Sequence, residues 1–116
     1  MPKRLLVYAL ALGLITNAAS ARGIVIYGVG LKTCGYWSSA SKKTAARQQL
    51  SDWILGFVSA YNYYSAEGRD VTFSDGSAFI AWMDGYCREH PNDVVADAAY
   101  RLVAELAARR TPPPSN

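Results

Sequence analysis

Histidine is almost missing from this 116-residue chain, and His90 is the only imidazole available as a base or ligand. Cysteine is scarce as well: Cys34 and Cys87 stand alone, and no Cys-x-x-Cys occurs. Together these scarcities remove most metal-ligand and thiol-nucleophile patterns. A thiolate at Cys87 would have only His90 for a base, three residues on and beside Pro91. Charged residues make up 18% of the chain, and beyond Lys3-Arg4 at its start the basic ones gather only in the local pairs Lys42-Lys43 and Arg109-Arg110. A nucleic-acid or anionic-membrane partner needs clustered basic charge, so neither is expected. Internal repeats are absent, and no apolar run reaches the roughly 20 residues needed to span a bilayer.

What is present begins with an address. Lys3 and Arg4 form a basic start, residues 5–15 an apolar core, and Ala19-Ser20-Ala21 a small-residue cleavage site. That pattern predicts a secretory signal peptide over residues 1–21, cut before Arg22, and a periplasmic protein with no membrane attachment afterwards. Cleavage leaves ten Lys or Arg (twelve less Lys3 and Arg4) against nine Asp or Glu. The net charge falls from +3 to +1, so the basic balance belongs mostly to the leader. The remainder is one small domain, residues 22–110, followed by a tail at 111–116 whose three prolines cannot continue a helix. An even pair of cysteines in an oxidising compartment favours one disulfide between Cys34 and Cys87, with a reactive thiol or a metal ligand as the competing readings. Such a bond would close a loop of some fifty residues, which the chain-entropy model values at about 4 kcal/mol. For a domain whose total stability is about 5–10 kcal/mol, that is a large share.

Hydrophobic spacing predicts three main helices. Phe79, Ile80, Trp82, Met83, Tyr86 and Cys87 recur with helical period, with Asp75 as the N-cap and His90, ahead of Pro91, as the stop. Over residues 44–65, Leu50, Trp53, Ile54, Phe57, Tyr61 and Tyr64 form an apolar stripe, with Arg47, Gln48, Gln49, Ser51 and Asp52 off it. Gly56 costs about 1 kcal/mol in mid-helix, which implies that another backbone passes close there. A last helix, capped by Asn92 or Asp93 and running to about Arg109, shows Val95, Ala98, Ala99, Leu102, Val103 and Leu106 on one face. Asp93 and Asp97 at its start and Arg109 and Arg110 at its end complement the helix dipole. Residues 23–30 read as an extended arm in which Ile24, Ile26 and Val29 cover the core edge. Cys34-Gly35-Tyr36-Trp37 reads as a turn in which Gly35 takes a backbone angle that other residues resist. The expected fold is therefore all-α: a small bundle of three or more helices with an extended N-terminal arm and one disulfide.

The domain is rich in aromatics, and the run Tyr61-Asn62-Tyr63-Tyr64 cannot bury every member of one helical turn. Asn62 and at least one tyrosine should face solvent, making Asn62, Tyr63 and Tyr64 the candidate partner-binding residues. No catalytic constellation accompanies them. Asp84, Glu89 and His90 are the only acid–base groups near one helix end, and an ion pair from Asp84 to Arg88 accounts for the first. The chain reads as non-enzymatic and without a cofactor.

Cys34-Gly35-Tyr36-Trp37, the Trp53-to-Asn62 segment around Gly56, and Trp82-Met83-Asp84-Gly85-Tyr86-Cys87 with Pro91 resemble the HdeA-like superfamily. Within it they are most similar to the branch holding the Rap/Tai immunity proteins of type VI secretion. The resemblance implies a small periplasmic helical domain with a disulfide joining the positions of Cys34 and Cys87, no cofactor and no catalysis. It also implies a protein partner, for the immunity branch a peptidoglycan-cleaving amidase effector. The alternative it carries is an acid-stress chaperone that holds unfolding clients. A homodimer is a further association open to such a chain.

Overall fold

The computed structural model describes residues 23–40, 42–67 and 69–110. The expected signal peptide and the proline-rich tail lie outside the described residues. The fold is all-α, with four helices and no strand among the described residues: α1 Cys34–Ser39, α2 Ala45–Tyr64, α3 Gly76–Glu89 and α4 Val95–Ala108. A 3-10 turn at Gly28–Leu31 precedes them. α1 packs on α3, α3 on α4, and α2 lies against both of the longer partners. One core runs between them, built from Trp37, Leu50, Ile54, Val58, Met83, Val95, Leu102 and their neighbours.

The helix starts follow from local hydrogen bonding. Thr33 and Thr44 accept the backbone N–H groups of Tyr36 and Arg47 through their hydroxyls, and Asp75 caps Ser77 and Ala78 as the sequence predicts. The Ser77 hydroxyl above all, and then the backbone N–H groups of Ser77 and Ala78, hold the Asp75 carboxyl below its usual range. α3 stops at His90, whose N–H closes on Tyr86. α4 is different. Neither Asn92 nor Asp93 caps it; the N-cap is Val94, with no side-chain bond. The Val95 N–H instead donates to the Lys32 carbonyl at 2.8 Å, and the Cys34 N–H donates to the Asp93 carbonyl at 2.7 Å. A single antiparallel bridge between Thr33 and Val94 thus satisfies the first backbone N–H of α1 and the first of α4, groups that helix geometry leaves without an intrahelical partner.

That bridge also explains the cysteine segment. Cys34-Gly35-Tyr36-Trp37 is the first turn of α1 rather than an irregular turn, and Gly35 has no unusual backbone angle. Its N–H donates to the Pro91 carbonyl at 2.8 Å, and a Cβ at Gly35 would come within 3.3 Å of that oxygen. Close approach is its role. The disulfide Cys34–Cys87 then joins α1 to α3 with both residues fully buried.

The arm is shorter than the sequence implies. Residues 23–27 have no regular structure, and Ile24 is 78% exposed rather than covering the core. Val29 does pack on the core, delivered by the 3-10 turn. Gly28 takes φ +75°, a conformation that favours glycine. Gly30 is buried with its Cα against the Trp53 indole.

On α2 the buried stripe is Arg47, Leu50, Ile54 and Val58, rotated from the expected one. Trp53, Phe57 and Tyr61 pack at its border, and Tyr64 points away, 85% exposed. Gly56 is exposed, with nothing within 4 Å of where a Cβ would sit, so no backbone passes close to it. α4 buries its apolar face as expected, with Ala96 added to it.

The two glycines should therefore respond with opposite signs. Gly56→Ala should stabilise by up to about 1 kcal/mol, the helix-propensity difference. Gly30→Ala would place its Cβ 2.2 Å from the Trp53 ring, and should cost about 1–3 kcal/mol by overpacking. Urea denaturation of both variants checks the pair.

Candidate functional site

The most highly organised cluster of polar groups lies where α1, α2 and α3 meet. Arg47, on the core stripe of α2, is 4% exposed, and it is the one buried charged residue among those described. Its Nη1 donates to the Trp37 carbonyl at 3.1 Å, its Nη2 donates to Asp84 Oδ1, and its guanidinium lies over the Trp37 ring, 4.2 Å from the centroid. Trp37 Nε1 donates to the same Asp84 oxygen at 2.9 Å. Lys42, itself exposed, approaches Asp84 Oδ2 at 3.7 Å from outside. The Asp84–Arg88 pair expected from spacing is not the one formed. Asp84 faces inward across α3 to Arg47 because the buried guanidinium has no other anion to pair with.

Burial raises the pKa of Asp84, but the hydrogen bonds from Arg47 and Trp37, and the charges of Arg47 and Lys42, outweigh it and hold the carboxyl below the usual carboxylate range. The cluster is a structural node. Asp84 is engaged on both oxygens by donors of the fold. His90 lies elsewhere, its ring stacked on Tyr86 at 4.3 Å. The acid–base groups singled out from the sequence therefore have separate surroundings.

A second set of contacts ties α3 to the start and end of α4. Trp82, Tyr86 and His90, each one turn apart, stack in a column along α3. Trp82 Nε1 donates to Glu105 at 3.2 Å and the Tyr86 hydroxyl donates to Asp93 at 2.5 Å. Burial, then the Asp93 carboxylate, push the Tyr86 phenol upward. No three potential metal-ligating side chains converge among the described residues, and no helix there is long and apolar enough to cross a membrane.

The candidate binding residues divide. Asn62 is half-buried, and its amide clamps the backbone of Val71: Nδ2 donates to the Val71 carbonyl at 3.0 Å and Oδ1 accepts the Val71 N–H at 2.8 Å. In this way one asparagine substitutes for a strand partner and holds residues 71–73 against the core, where Val71 is buried and Phe73 meets Phe79. Its expected exposure is corrected by that work. Tyr63 and Tyr64 are both more than 80% exposed, with their rings edge to face at 5.1 Å. Tyr64 also borders an open groove of about 600 Å³ with Phe57, Tyr61, Arg69 and Arg110. The residue that sequence reasoning missed is Arg47. A signal existed, because Arg47, Leu50, Ile54 and Val58 share one helical register.

Breaking the node from one side should be costly. Asp84→Ala leaves a buried guanidinium without its anion, and since Asp84 is itself 24% exposed, the expected loss is near the low end of the buried-pair range, about 3 kcal/mol. The double variant Arg47→Met, Asp84→Leu should recover most of that loss, read by chemical denaturation. The pH dependence follows with a definite sign. A depressed carboxyl adds stability that is complete above its unfolded pKa of about 3.9 and is lost as pH falls through the lower folded value. Asp84→Asn should flatten that part of the acid limb.

No protein-family model, no curated protein and no solved structure matches this chain.

Proposed function

We propose that this chain is an exported, non-enzymatic binding protein of the immunity type, which neutralises a peptidoglycan-cleaving amidase by docking a preformed surface onto it. The observation that carries the reading is the presentation of Tyr63 and Tyr64. Two large aromatic side chains stand exposed at the end of a helix whose other face is fixed in the core. Aromatic anchors on a rigid element bind with little ordering cost, because few rotamers are frozen on association. The Asn62 clamp strengthens this, since it immobilises the turn of α2 from which both rings project. The resemblance to the immunity branch accounts for the disulfide-locked scaffold of Cys34 and Cys87; it transfers no binding residue, so Tyr63 and Tyr64 rest on their exposure alone.

The runner-up is an acid-activated holdase, which works by loosening its fold at low pH and exposing apolar surface to clients. The depressed Asp84 carboxyl does not separate the two readings, because the stability it adds is lost as pH falls below about 3.9, in the range where a holdase acts.

The test is direct. The disulfide-intact protein is mixed at neutral pH with cell-wall amidases of type VI secretion, any encoded in its own gene neighbourhood first, and cleavage of purified peptidoglycan is followed. Stoichiometric inhibition is expected, with Tyr63→Ala and Tyr64→Ala each raising the inhibition constant about tenfold or more, the scale of an aromatic hot spot. Absence of inhibition, together with suppression of client aggregation at about pH 2–3, would overturn immunity and install the holdase.

A further inference from the structure

The groove beside Tyr64 lies between the end of α2, the segment that follows it and the end of α4, and two kinds of side chain wall it. Phe57, Ala60, Tyr61 and Tyr64 supply an apolar, largely aromatic side, and Arg69 and Arg110 bring two guanidinium groups to it. At about 600 Å³ the groove falls within the roughly 300–1,000 Å³ of ligand-binding clefts. Arg110 is half-buried and fixed in place. Its Nε donates to the Ala107 carbonyl at 3.2 Å, an ordinary bond for a basic residue at a helix end, and its Nη1 donates to the Arg69 carbonyl. The second bond ties the end of α4 to the segment after α2.

Both acceptors of Arg110 are neutral, so they orient the guanidinium and leave its charge whole. Its Nη2 donors and the Arg69 side chain make no bond among the described residues. The ion pairs formed there are Arg47 and Lys42 with Asp84, and Arg109 with Glu105. Neither Glu67 nor Asp70, the carboxylates nearest in the chain, pairs with Arg69 or Arg110. Two unneutralised cations on a cleft with an apolar wall focus a positive potential into it, which draws an anion. An inorganic anion would use the guanidinium groups and leave the aromatic wall wet. A neutral apolar ligand would do the reverse. The ligand that uses both carries a carboxylate next to an apolar side chain, and tyrosine and arginine are the residues that concentrate binding energy in protein interfaces.

We propose that this groove receives an acidic segment of a protein partner. An Asp or Glu carboxylate of that segment pairs with Arg69 and Arg110, and an adjoining aromatic or aliphatic side chain lies against Phe57, Tyr61 and Tyr64. The assignment rests on the end of α2 being a partner-binding surface, and it adds the chemistry of what binds. Pre-orientation of Arg110 by two carbonyls lowers the ordering cost of the ion pair, because one of its long side chains is already held.

The probe is a synthetic peptide, acetyl-Ser-Glu-Phe-Asp-Leu-Ser-amide, titrated at neutral pH into the disulfide-intact, isotope-labelled protein. NMR follows the Tyr61 and Tyr64 rings and the Nε–H groups of Arg69 and Arg110, where saturable shifts are expected. Exchanging the peptide's Glu and Asp for Gln and Asn should weaken binding about fivefold or more, the scale of modest ion pairs, and Arg69→Gln in the protein should do the same. That variant should melt like the parent, since the Arg69 side chain bonds to nothing in the fold. Arg101→Gln, on an exposed arginine of α4 outside the groove, should leave the affinity unchanged. No saturable binding, or binding indifferent to the carboxylates or to Arg69→Gln, overturns the proposal. Binding that appears only once residues 111–116 are removed also overturns it, and assigns the groove to the chain's own tail. The immunity reading fails separately. Amidase inhibition unchanged by Arg69→Gln would sink the groove and leave immunity standing, whereas charge-dependent peptide binding without inhibition would do the opposite.

Discussion

The guanidinium of Arg47 is the constraint on which the rest of the packing depends. A charge this deeply buried must be paired and hydrogen-bonded, or its desolvation would exceed what a domain of this size can absorb. The molecule meets that demand from two other elements at once: the Trp37 carbonyl and ring of α1, and the Asp84 carboxylate of α3. Because Trp37 also donates its indole N–H to Asp84, the three residues form a closed triangle. Such a node adds little to stability compared with an apolar replacement, but its bonds are met only when Trp37, Arg47 and Asp84 are brought together by α1, α2 and α3. Apolar contacts between small helices would tolerate sliding by a turn; a closed set of directional bonds does not.

Next to this node runs a seam that fastens the ends of the chain's short connections. The disulfide holds α1 to α3, and the backbone bonds of Cys34, Gly35 and Val95 hold the loop after α3 against the start of α1. Node and seam act on the same elements from different sides. Their joint effect is to fix the middle of the molecule and leave the end of α2 and the N-terminal arm as its open surfaces. Binding energy is best used on surfaces that need no ordering, and here the exposed aromatics of α2 sit on a helix anchored at its other face.

The same arrangement has an acid signature. Asp75 and Asp84 are both held below the usual carboxylate range, one by the Ser77 hydroxyl and then helix-start N–H groups, the other by Arg47 and Trp37 against the opposing effect of burial. Each contributes stability that persists until pH falls below the ordinary carboxylate pKa. Below that pH both contributions are lost, so the fold weakens in strong acid.

Sequence by itself determined the all-α class, the three long helices, the Asp75 cap, the His90 stop and the apolar face of α4, because each is a local matter of period and capping. It also allowed the two cysteines to be paired, since there were only two. What only the tertiary structure decided were partners across the chain. Arg47 and Asp84 are 37 residues apart, and nothing local distinguishes that pair from Asp84 with Arg88. The start of α4 lies at Val94, beside the Thr33 bridge, and has no side-chain cap from Asn92 or Asp93. Asn62 looked exposed until Val71 came back to meet it, and the tight glycine was Gly30 under Trp53 rather than Gly56. Helical periodicity reports which face of a segment is apolar, but which polar group is drawn inside depends on what another element brings to it.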